Sequence, residues 1–277
     1  MIDAVAIAGH VRSLLHGDAD AKAQAAWELL NLMAPATPLG IEHRNWIARA
    51  GAIPLLVDLL QSGGEGARCA AAALANLAWK NADNKVAIAA AGGIAPLVEV
   101  VRSGSAGAKA SAALALGNIA SQIADNRVAI AAAGGIAPLI EVVRSGSAGA
   151  KASAASALRN LAWEDADNKV AIAAAGAIAP LVALTRSGGQ GADRAKSALI
   201  SLASNNVDNQ VLIAEAKGDI KKLVKLAQEA SSDAAKNAAA QILAHRRRSV
   251  VRKCVDGKVP AELEPIIAAC LARRGFS

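Results

Sequence analysis

One dipeptide returns along this chain at an almost fixed interval. Asp83-Asn84, Asp125-Asn126, Asp167-Asn168 and Asp208-Asn209 recur at intervals of 42, 42 and 41 residues, and Glu42 lies 41 residues before the first. A period of this length marks a stack of supersecondary units, none of which can bury its apolar face alone. Residues 91–132 and 133–174 agree at 34 of 42 positions. That is closer than shared folding requires, so recent duplication or deliberate consensus design made them.

Each unit reads as three helices. In ADNKVAIAAAGG, Asp83 is placed to accept hydrogen bonds from the free N–H groups of a first turn, and Gly92 to supply the left-handed residue that ends a helix of about two turns. The second helix runs through IAPLVEVVRSG. Pro96 suits an early helical position, and Ile94, Leu97, Val98 and Val101 form one apolar stripe. The third starts at Ser105, an expected N-cap, and is the longest; Ala112, Ala113, Leu116, Ile119 and Ala120 make its inward face. Residues are 54% hydrophobic but only 2% aromatic, so small aliphatic side chains must carry burial between closely spaced helices.

Several classes are disfavoured. No run of 18 uncharged apolar residues is present, so no membrane span is expected. The start, MIDAV, lacks a secretory signal pattern, and Ile2 excludes myristoylation at a second-position glycine. Cys69, Cys254 and Cys270 have no ligand spacing, so neither disulfides nor a metal site is expected. A cytoplasmic or nuclear location follows as the expectation. His10, His16, His43 and His245 are scattered, and no H-E-x-x-H, G-x-S-x-G or Walker-type motif occurs. The chain is expected to be no enzyme and to need no cofactor.

A triplet of one short and two longer helices at this period resembles the armadillo repeat family, the solenoids of importin alpha and beta-catenin. The resemblance implies an all-α right-handed superhelix with three helices per repeat. The partition is a solenoid over 1–244, with a partial opening repeat at 1–41, full repeats at 42–82, 83–124, 125–166 and 167–207, and a capping repeat at 208–244. A basic extension follows at 245–277.

The third helices carry a polar residue in register, Asn31, Asn76, Asn118 and Asn160, with Ser201 in the fifth place. A column of amides can hydrogen-bond the backbone of an extended chain that has no partner strand. In the family that this chain resembles, the equivalent asparagine does so on the concave surface; the alternative is that each Asn ties neighbouring helices or loops together. Residues four before and three after each Asn share its face. They include Trp27, and Trp79 and Trp163 as candidate anchors, with Leu114, Ser121 and Ser156 at equivalent places. Trp46, on a first helix, is assigned to packing. Glu28 and Glu164 against Lys80 and Arg159 suggest a groove of balanced charge.

AWELLN, with Trp27 and Asn31, matches the W-x-x-x-N pattern of importin-alpha-like grooves, whereas Ala72, Leu114 and Ser156 replace the family's tryptophan in the central repeats. The expected partner is therefore an extended, unstructured segment of another protein. A nuclear transport adaptor recognising basic signals stands second. Third is binding of nucleic acid or another acidic partner through the tail. Net charge is +7, but residues 245–277 hold eight Lys/Arg against three acids, leaving +2 for the rest. Arg246, Arg247, Arg248, Arg252 and Lys253 carry that reading, while a solvated helix end is the plainer one. Oligomeric state has no signature in the sequence.

Overall fold

The structure, a computed structural model, describes residues 2–33 and 38–218. Every regular element among them is helical. The chain divides into two compact units, Met1–Ala198 and Leu199–Ser277.

The first unit opens with α1 (Ile2–His16) and α2 (Ala19–Leu32). Helical triads follow: α3 (Pro38–Arg49), α4 (Ala52–Leu59) and α5 (Gly64–Ala78); α6 (Ala82–Ala90), α7 (Ile94–Ser103) and α8 (Ala106–Ala120); α9 (Ala124–Ala132), α10 (Ile136–Ser145) and α11 (Ala148–Ala162). The last triad is α12 (Ala166–Ala174), α13 (Ile178–Leu184) and α14 (Gly189–Ala203), and α14 runs into the second unit, which also holds α15 (Val207–Lys217). The C-terminal part of the expected capping repeat and the whole basic extension, with Arg246, Arg247, Arg248, Arg252 and Lys253, lie outside the described residues.

Two layers form in the first unit. The third helices α2, α5, α8 and α11 pack side by side, and α4, α7, α10 and α13 include the second-helix row against which they rest. The short first helices turn sharply into the second ones, at 82° for α6 and α7, 80° for α9 and α10, and 83° for α12 and α13. Gly92, Gly134 and Gly176 make these corners with φ of 75°, 73° and 81°, a conformation that costs other L-residues about 1 kcal/mol or more.

The stripe Ile94, Leu97, Val98 and Val101 is buried, as are Ala112, Ala113, Leu116, Ile119 and Ala120. Alanine is used because the third helices approach closely: a methyl added at Gly117 would stand 3.2 Å from Ala157 Cα on the neighbouring helix. Ser105 caps α8, its side chain accepting from Ala108 N at 3.3 Å. The first helices differ from expectation. Asp83 lies inside the first turn of α6, and the cap is Asn81, which accepts from Asn84 N at 3.0 Å. Asp165 does the same for α12. A carboxylate at Asp83 still favours the positive end of the helix dipole without capping it.

Candidate functional site

The last four carbonyls of any helix lack intrahelical partners, and the repeat signature serves to satisfy those of the third helix. On α5, Asn118 Nδ2 donates to Ala75 O at 2.9 Å, Trp79 N to Asn76 O at 3.2 Å, Asn84 Nδ2 to Leu77 O at 3.0 Å, and Asn81 N to Ala78 O at 3.4 Å. On α8, Asn160 Nδ2 donates to Gly117 O at 2.8 Å, Ser121 N to Asn118 O at 3.2 Å, and Asn126 Nδ2 to Ile119 O at 3.1 Å. Asn168 Nδ2 repeats the bond to Leu161 O at 3.1 Å. At the start of the series His43 stands where the others have asparagine, and its Nδ1 donates to Leu32 O at 2.7 Å.

One more acceptor is held by a residue that the motif search passed over. After α5 and α8 the carbonyl of the next residue faces a buried cation from the first helix of the same module: Arg44 Nη1 donates to Trp79 O at 3.4 Å and Lys85 Nζ to Ser121 O at 2.7 Å. Arg127 and Lys169 occupy the same place in later modules and are also buried. Burial pushes the Lys85 ammonium and the Arg44 guanidinium below their ordinary pKa values. A cation after the first three Asp-Asn pairs, Lys85, Arg127 and Lys169, was the available signal; Gln210 follows the fourth.

The asparagine column is thus partly structural. Asn118 and Asn160 each spend an amide hydrogen on the preceding third helix, the tie between neighbouring helices that was the alternative reading of this column. Since each bonds a carbonyl, the group used is NH2, which keeps a second N–H, and Oδ1 remains as an acceptor. Asn76 is half-buried and Asn31 exposed, while Ser201 is buried in the second unit.

After α5, α8 and α11 the chain leaves the helix by the same kink. Trp79, Ser121 and Trp163 are extended, with ψ of 117°, 118° and 117°, and the residues that follow, Lys80, Gln122 and Glu164, are left-handed, with φ of 53°, 66° and 51°. One groove of about 500 Å³ is lined by Trp79, Lys80, Leu114, Asn118, Ser121, Ser156, Arg159, Asn160 and Trp163, joined by Lys85, Gln122 and Arg194. The candidates outside its walls are Trp27, Glu28 and Asn31 on α2, Asn76 on α5, and the exposed Glu164. Glu28 accepts from Gln24 Nε2 at 2.8 Å. Charge in this stretch is therefore not balanced: its walls hold four cations and no carboxylate.

The two tryptophans differ. Trp79 is half-buried, with Lys80 Nζ 4.7 Å and Arg44 Cζ 4.9 Å from its ring centroid. Trp163 is 48% exposed, and Arg159 Cζ is 5.8 Å from its centroid. Trp46, its ring 6.0 Å from that of His43, stands outside the groove walls.

The profile of the Armadillo/beta-catenin-like repeat matches residues 81–121 and 124–163. The chain has the fold of an armadillo-repeat solenoid. An engineered protein of known crystal structure is 29% identical to it, covering 87% of this chain and 96% of its own, with a TM-score of 0.70. A structure described as computationally designed armadillo repeat proteins for modular peptide recognition is 25% identical, covering 86% and 98%, with a TM-score of 0.69. A designed armadillo repeat protein in complex with peptide (KR)4 is 26% identical over 86% and 98%, with a TM-score of 0.67. No curated protein matches.

Among the described residues of this armadillo solenoid, no group of three or more His, Cys, Asp or Glu is placed to hold a metal ion. No single described helix is long and apolar enough to cross a membrane; three bent pairs reach that length and composition only together.

Proposed function

We propose that this armadillo solenoid is a protein-interaction scaffold that holds an extended segment of another protein along its third-helix groove. One observation carries the proposal: a single groove gathers Trp79, Asn118, Asn160 and Trp163 from successive modules. An unfolded chain needs acceptors for its unpaired N–H groups and surfaces for its side chains. The Oδ1 atoms of Asn118 and Asn160 supply the former. Trp163 supplies the latter, since a large, half-exposed ring buries area at low entropic cost. Similar designed proteins described as made for modular peptide recognition support the same role. Binding rather than catalysis also accords with the asparagines and buried cations, which are engaged with helix-end carbonyls.

A basic ligand, as an import adaptor would hold, has one observation in its favour: a similar designed protein was solved with peptide (KR)4. The cationic walls of the present groove oppose it.

Selection of unstructured peptides against the protein, followed by titration with Trp163→Ala and Trp79→Ala together, tests the role. Selected peptides should lose at least tenfold in affinity. Undiminished binding to the double variant would place the ligand elsewhere and end the proposal.

A further inference from the structure

We infer that the occupant of this groove is an acidic extended peptide, a specificity that rests on the groove reading just given. Four cations elsewhere on the first unit are matched within their own helices, while others among the described residues, Lys109 and Lys151 among them, are not. Arg68 pairs with Glu65, Arg102 with Glu99 at 2.6 Å, Arg144 with Glu141 at 2.8 Å, and Lys196 with Asp193 at 3.2 Å, each three residues apart. Lys80, Arg159 and Arg194 have no such partner among the described residues, and all three line the groove.

The nearby carboxylates do not neutralise them. Asp165 is engaged by Asn168 through N at 2.9 Å and Nδ2 at 3.0 Å. Glu164 is exposed and stands outside the walls. Lys85, the fourth lining cation, is spent on Ser121 O. Three outward cations in a concave, partly desolvated strip raise the local potential and select an anionic partner.

Peptide is favoured over nucleic acid by the asparagines. One N–H of each is committed, to Ala75 O and to Gly117 O, and the Oδ1 acceptor that remains can be matched only by a ligand that brings donors. A peptide backbone brings an N–H donor at each residue, whereas a phosphodiester backbone brings only acceptors.

The register follows from packing. Neighbouring helices lie roughly 8–10 Å apart, and an extended chain advances about 3.3 Å per residue, so the two modules from Trp79 to Trp163 take about six residues. Lys80 lies at one end of that span, and Arg159 and Arg194 at the other. The ligand therefore carries carboxylates toward both ends, with aliphatic side chains between them for Trp163 and Leu114.

The test uses the full chain and three eight-residue peptides that alternate leucine with glutamate, glutamine or lysine, identically labelled and followed by fluorescence anisotropy at low and high salt. The glutamate peptide should bind at least tenfold tighter than the others at low salt, with its lead shrinking as salt rises. Arg159→Glu with Arg194→Glu should reverse the order in favour of lysine. Lys80→Glu provides a second variant, because Glu164 already holds the equivalent left-handed position at φ 51°.

Equal binding of the three peptides would overturn the acidic preference and leave peptide binding standing. Tighter binding of the lysine peptide by the unaltered protein would overturn it too. Tighter binding of an oligothymidylate than of the glutamate peptide would transfer the groove to nucleic acid. Failure of all three peptides to bind would overturn both the preference and the groove reading.

Discussion

Asn160 on α11 donates its side-chain amide to the backbone carbonyl of Gly117 on α8, 2.8 Å away. The same bond joins Asn118 to Ala75 one module earlier. A side chain that lines the groove is therefore also a rung between modules, with Oδ1 and the second N–H left over. In a solenoid each module touches only its neighbours, so the interface term is what makes unfolding cooperative.

Removing the rung should separate stability from binding. Asn160→Ala leaves Gly117 O without its donor and should cost about 1–3 kcal/mol. Asn160→Asp should cost at least as much, because it offers an acceptor to an acceptor. Urea denaturation followed by circular dichroism measures both, and unchanged midpoints would show that water replaces the bond without loss.

The two tryptophans should behave differently when truncated. Trp163, 48% exposed, should alter stability by less than about 0.5 kcal/mol, as surface substitutions do, while weakening a selected peptide by about 2 kcal/mol, or some thirtyfold. Trp79→Ala should lower the thermal midpoint as well, since its ring lies beside both Arg44 and Lys80. Calorimetry with and without peptide distinguishes the pair, and equal losses of stability would refute the distinction.

Lys85→Met should destabilise by about 1–2 kcal/mol, since it deprives Ser121 O of a charged donor but relieves the desolvation of that charge. A pH signature accompanies it. Burial lowers the folded-state pKa below the ordinary 10.5, so between those values the unfolded chain binds more protons and stability rises with pH. Chemical denaturation from pH 8 to 10.5 should show that rise in the parent and a smaller one in the variant; identical slopes would assign it to other groups.

Gly117→Ala sets two effects against each other. Helix propensity favours alanine by about 1 kcal/mol, but the new methyl would meet Ala157 Cα at 3.2 Å, and such overpacking costs about 1–3 kcal/mol. Because backbone, not a movable side chain, receives the clash, net destabilisation is expected. A raised denaturation midpoint would contradict it.

Much of the fold was legible because it repeats. The Asp-Asn spacing gave the period, Gly92 gave the corner between helices, and Ile94, Leu97, Val98 and Val101 gave the buried stripe. The groove was legible through helical spacing, which put Trp79, Asn118 and Trp163 on a shared face. Two things were hidden. The role of Asn84 depends on which carbonyls a neighbouring helix leaves unpaired, a fact of tertiary geometry rather than of pattern. The charge of the groove was misjudged because Glu164 is adjacent in sequence to Trp163 but takes no part in the walls, whereas Arg194, from a different module, does.

The kink after α5, α8 and α11 leaves one strained position per module. Its left-handed position is filled by Lys80, Gln122 and Glu164 rather than glycine, at a strain of about 1 kcal/mol apiece. Glycine would relax the backbone and leave that place blank. By keeping a side chain there, the chain sets one cation, one amide and one carboxylate at the same step of three successive modules, the first two of them in the groove wall. The helix-end carbonyls are satisfied by other residues, so the side chain at this step is free of that duty in each module.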